Sequence, residues 1–111
     1  VIPVNVTNMD STFYNCTNLI KAPEIPSNVT VMNWTFGGCD NLTGNIVIRS
    51  NRINNTSMSA CFMYTTLPKN VYIPFTGYNA IANTHKAAIN SRYGINGKNG
   101  VTIYDINTYK G

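Results

Sequence analysis

The chain has little charge. Only 11% of its 111 residues are Asp, Glu, Lys or Arg, against ~25% in ordinary soluble domains. Acids are few, and His85 is the sole histidine. A Cys–His or Ser–His–Asp catalyst would have to use it, and its setting "NTHKAA" reads as an exposed helix. No Cys-x-x-Cys, His-x-x-x-His or carboxylate cluster offers metal-ligand spacing. "FGGC" and "INGKNG" lack the flanking pattern and the Lys-Ser/Thr of a phosphate loop. No window reaches the ~18 apolar residues of a membrane span. The N-terminus lacks the charged, apolar, small-residue order of a signal peptide. The expectation is no enzyme: no catalytic residues, no metal, no cofactor and no membrane span in this segment.

What the chain does have is 43% hydrophobic residues, enough for a core, and a polar complement dominated by Asn, Thr and Ser. Such a surface is neutral and turn-forming, and suits an extracellular β-rich protein. The small charge is unevenly spread. Residues 1–48 set Lys21 against Asp10, Glu24 and Asp40, a net −2. Residues 49–111 set Arg49, Arg52, Lys69, Lys86, Arg92, Lys98 and Lys110 against Asp105, a net +6. A basic end can meet an anionic polymer, but no run of ~5–8 basic residues is present. Nucleic acid is therefore not expected as a partner.

The chain also repeats itself. "TFYNCTNL" from Thr12 returns as "TFGGCDNL" from Thr35. Val6 and Val29, Met9 and Met32, Phe13 and Phe36, Cys16 and Cys39, Leu19 and Leu42, and Ile25 and Ile48 all stand 23 apart. A worn third unit places Met58 and Phe62 26 after Met32 and Phe36, and Leu67, Val71 and Ile73 25 after Leu42, Ile46 and Ile48. Within each unit Met and Phe are four apart, which predicts one face of a short helical turn. The second half, "LTGNIVIRS" or "LPKNVYIPF", alternates at a spacing of two, which predicts a strand. Units this short bury their apolar faces only by stacking, so successive strands should lie parallel.

The run "TFYNCTNLIKAPEIP" resembles the repeat of the BspA-like leucine-rich-repeat family, and is similar to Asn/Thr-rich repeats of bacterial surface and prophage-associated proteins. The resemblance covers residues 1–74. It implies an α+β solenoid: a leucine-rich-repeat-like right-handed coil with a parallel β-sheet of short strands and short helical or turn segments opposite. Residues 75–111 are expected to form an α+β C-terminal cap, with a helix in 79–94 and a last strand in "VTIYDI". "VIPVNVTNM" reads as the middle of a pattern, so a longer parent protein is expected.

Cys16 and Cys39 share a slot on adjacent units and are expected to be buried free thiols, although disulfide range stays open. Asn-x-Ser/Thr sequons at Asn5, Asn15, Asn28, Asn33, Asn41, Asn54 and Asn55 are read as by-products of an Asn/Thr-rich repeat. The functional surface is expected on the outward strand positions. By register these include Glu24, Asn45, Val47, Arg49, Asn70 and Tyr72, with Arg49 and Tyr72 as the anchor pair. Trp34 is read as an exposed anchor or a gap filler. The expected role is a non-enzymatic protein- or glycan-binding or adhesion module, extracellular or at the cell surface, whose partner is a host or bacterial surface protein or glycan. The alternative is a structural spacer of a wall-associated or prophage particle protein.

Overall fold

The computed structural model describes residues 1–53, 57–75 and 100–111. The alternating segments form three strands: β1 (Gly44–Val47), β2 (Lys69–Ile73) and β3 (Val101–Asp105). They make one parallel sheet in the order β1-β2-β3. Gly44 stands beside Lys69, which stands beside Val101; Val47, Tyr72 and Tyr104 form another such row. In the first unit the predicted strand shrinks to one bridge, Ile25 with Ile48. The Ile25 amide donates to the Val47 carbonyl and its carbonyl accepts from Arg49, each at 2.9 Å. Pro23 and Pro26 on either side have no amide hydrogen to extend the ladder.

The Met-to-Phe segments are not helical turns. Within the first, Thr12, Tyr14 and Cys16 donate back three residues, to Met9, Ser11 and Phe13. The alternate amides of Met9, Ser11, Phe13 and Asn15 donate across to Val31, Asn33, Thr35 and Gly37 of the next unit. The second unit repeats this: Met32, Trp34, Phe36 and Gly38 donate to Ser57, Ser59, Cys61 and Met63 of the third. A chain of turns with every second amide pointing outward needs residues of positive φ, and they recur at Ser11 and Asn15, Trp34 and Gly38, Ala60 and Tyr64. An α-helix admits no such residue, so the helical expectation fails here. Among the described residues the one helical segment is a 3-10 turn, Ile106–Thr108. The helix expected in 79–94 lies outside the described residues. No helix among them is long and apolar enough to cross a membrane.

Gly38 carries the most turn-compatible residue type in this set. At φ +74°, a Cβ would be strained and would meet the Asn15 side chain of the unit below. Gly38→Ala should lower stability by about 1–2 kcal/mol, read as a shifted urea midpoint at constant slope; an unmoved midpoint would contradict the turn geometry.

Stacking the units aligns their apolar side chains into columns. Phe13 and Phe36 have ring centroids 5.6 Å apart and planes within 3°. Phe36 and Phe62 follow at 5.7 Å and 12°. Met9, Met32 and Met58 are buried in the same core, as are Ile25, Ile48 and Ile73. All three cysteines are free thiols, and Cys39 donates to the Phe13 carbonyl at 3.1 Å. Burial pushes the thiols of Cys39 and Cys61 upward in pKa, Cys61 strongly. Such thiols are poor nucleophiles at neutral pH.

The spacing between units shortens inside the third. Thr65 stands 26 residues after Cys39, but Lys69 stands 25 after Gly44. Leu67 falls in that step and leaves the inward row: it is 38% exposed whereas Leu42 is fully buried. Lys69 instead occupies an inward strand position at 1% exposure.

The Asn/Thr-rich composition has a structural use. Asn28 donates to the Val4 carbonyl at 2.9 Å, Asn41 to Thr17 at 2.7 Å, and buried Thr35 to Met9 at 2.7 Å. Asn33 accepts from the Ser59 amide at 2.7 Å. Short polar side chains thus satisfy backbone groups of the adjacent unit, which long charged side chains would reach less economically. Of the sequons, Asn28 and Asn41 have their side-chain nitrogens committed to these bonds and Asn33 its side-chain oxygen; Asn54 and Asn55 lie outside the described residues.

Candidate functional site

Strand pleating presents alternate residues on the outer face of the sheet. Two register rows cross it: Asn45, Asn70 and Thr102, then Val47, Tyr72 and Tyr104. The Asn70 side chain donates to that of Asn45 at 3.2 Å. Tyr72 stacks on Tyr104 with centroids 5.2 Å apart. Beyond the end of β1, Arg49 Nε donates to Glu24 Oε1 of the first unit at 2.8 Å. That hydrogen bond raises the Arg49 pKa, with desolvation opposing. Both partners are largely solvent-exposed, so the pair orients side chains more than it stabilises the fold.

The face is not open throughout. After β3 the chain turns through Ile106–Thr108, capped by the Asp105 carboxylate accepting from the Asn107 amide at 3.1 Å. This turn brings Tyr109 back over the sheet. Its ring lies 5.0 Å from that of Tyr72, and the Arg49 guanidinium carbon sits 5.9 Å from its centroid. Val47, in the row of Tyr72, is only 6% exposed. Its low exposure leaves Val47 little surface to offer a partner. Between Tyr109 and the first unit an open cleft of about 370 Å³ remains, lined by Lys21, Ala22, Gly44, Asn45 and Tyr109.

The six sequence-predicted positions thus separate. Glu24, Asn45 and Arg49 are exposed, Asn70 and Tyr72 half-buried, and Val47 buried. Tyr104 and Tyr109 join them without having been singled out. Tyr104 follows from continuing the register into "VTIYD", and is 41% exposed. Tyr109 lies beyond the last strand, where no alternation points to a face. The assembled groups are amide donors and acceptors, three phenol rings and an oriented ion pair. They can hydrogen-bond and stack on a ligand.

The chain matches no protein-family model, no curated protein and no solved structure.

Proposed function

We propose that the stacked units are coils of a leucine-rich-repeat-like solenoid that serves as a non-enzymatic binding or adhesion module at a bacterial cell surface. Its contact surface is the outer sheet face, and its partner is a surface protein or glycan. The observation that carries this reading is the cluster of Tyr72, Tyr104, Tyr109 and Arg49 beside the amides of Asn45 and Asn70. Tyrosine supplies large contact area at low entropy cost, and tyrosine and arginine are both enriched among the residues that dominate measured interface energies. The spacer reading draws on one fact: Tyr109 packs on Tyr72 and takes up part of the face internally.

Retention on an array of surface glycans and proteins separates the two. Tyr104→Ala combined with Asn70→Ala should weaken retention by roughly tenfold or more, since single anchor truncations cost about 1–2 kcal/mol. Thermal melting should change little, because Tyr104 lies at the solvent edge. Retention equal to that of the parent protein would remove the sheet face from consideration.

A further inference from the structure

A second surface lies on the turn side of the units, away from the sheet. Tyr14, Trp34 and Tyr64 come from three successive units and form an aromatic row. Tyr14 meets Trp34 edge-on, with centroids 5.6 Å apart and planes at 86°; Trp34 meets Tyr64 at 6.4 Å and 42°. Tyr14 is 45% and Tyr64 65% exposed. Trp34 sits at a position of positive φ whose equivalents are Ser11 and Ala60. The backbone there accepts small residues, so the fold itself does not call for an indole. Gly37 forms the floor: a Cβ on it would come within 2.9 Å of Trp34 Cε3 and 3.2 Å of Tyr14 Cδ1. Its lack of a side chain lets both rings settle against the backbone.

The two perpendicular rings and Ser11 bound a notch of about 260 Å³. The Ser11 hydroxyl donates to the Asp10 carboxylate at 2.8 Å, so a negative charge stands one hydrogen bond from the lining. Among the described residues no cation lies over the Tyr14 or Trp34 ring. The surrounding half of the chain is net acidic, with Asp10, Glu24 and Asp40 against Lys21. Two ring faces at right angles, a nearby carboxylate and room for a compact group are the requirements of a methylated ammonium ion, which binds aromatic faces through its diffuse charge.

We propose that the Tyr14–Trp34 corner beside Asp10 binds a quaternary trimethylammonium group, such as the head of choline. The site does not depend on the sheet face or on any role assigned to it.

Trp34 is the only tryptophan in the chain, so its fluorescence reports on this notch alone. Titrating the protein with choline chloride, against sodium chloride at equal ionic strength, should give a saturable change with a midpoint of roughly 1–10 mM. Tyr14→Ala should weaken binding by roughly tenfold and Asp10→Asn by roughly threefold, while Tyr14→Phe keeps it, all with unchanged melting. No saturable signal up to about 100 mM choline, some tenfold above the expected midpoint, would overturn the proposal. So would an equal response to 3,3-dimethyl-1-butanol, the neutral isostere, since the notch would then be merely apolar. Saturation by a proline-rich peptide but not by choline would overturn it in favour of a peptide groove. Where choline binds, sedimentation with phosphatidylcholine vesicles assigns the group to a lipid head, and failure to sediment assigns it to a free or polymer-borne ligand; both results uphold the site.

Discussion

Replacing Phe36 with alanine should cost about 4 kcal/mol and lower the melting temperature by roughly 10–20 °C. Phe36 is fully buried and is the middle ring of its column, stacked on Phe13 below and Phe62 above. Truncation removes a benzyl group and leaves a void whose upper and lower walls are rings on turns tied to their neighbours by hydrogen bonds. Those turns cannot collapse inward without breaking the bonds, so the cavity term should persist. Each aromatic contact adds about 0.5–1.5 kcal/mol beyond burial. Phe13 makes one such contact and is only partly buried, so Phe13→Ala should cost about half as much. A double-mutant cycle should return a coupling of about 1 kcal/mol between the two. Equal costs for Phe13→Ala and Phe36→Ala, with no coupling, would mean that the rings do not work as a column.

The aromatic column is legible because a residue recurring at 23 and then 26 positions must find equivalent surroundings in stacked units. The strands are legible because alternation is a local signal: Ile46 and Ile48, and Val71 and Ile73, point the same way in any strand. The turns are not. Six positions of positive φ shape them, yet only Asn15 and Gly38 belong to residue types that favour that region. At Ser11, Trp34, Ala60 and Tyr64 the inter-unit ladder overrides local preference, and a Met-to-Phe spacing of four fits a chain of turns as well as it fits a helix. The first-unit strand fails for a reason that can be read locally, since Pro23 and Pro26 withhold donors.

The sheet face divides in the same manner. Asn45, Asn70 and Tyr72 follow from pleating, and so does Tyr104 once the register is carried into β3. The placing of Tyr109 on Tyr72 does not, because the two stand 37 residues apart in the chain. A contact at that separation leaves no periodic trace. The Tyr14–Trp34 corner is likewise silent in the sequence: neither residue occupies the slot of the other, and only the stacking of unlike positions brings their rings together.

Lys69 offers the sharpest test of an inward charge. It lies between Gly44 and Val101 in the sheet, 1% exposed, with its ammonium donating to the Leu67 carbonyl. Burial lowers its pKa from 10.5 to about 8, with the Cys39 thiolate acting in the opposite direction. Below pH 8 both folded and unfolded chains carry the proton, and the folded state bears the full desolvation cost. Between pH 8 and 10.5 the folded chain releases a proton that the unfolded chain retains, so stability rises with pH, by at most about 1.4 kcal/mol per unit. Cys39 and Cys61 act with the opposite sign. Their folded pKa values are raised by burial, so above about pH 9 the unfolded chain loses thiol protons that the folded chain keeps. Two thiols outweigh one ammonium, and the expected profile climbs from pH 8 to about 9 and then falls. Lys69→Met removes the buried charge together with its desolvation cost, so the variant should keep or gain stability at pH 7. It should also erase the climb while keeping the fall. Urea unfolding across pH 7–10 measures both, and a variant less stable than the parent at pH 7, with the climb intact, would show that Lys69 is not the group responsible.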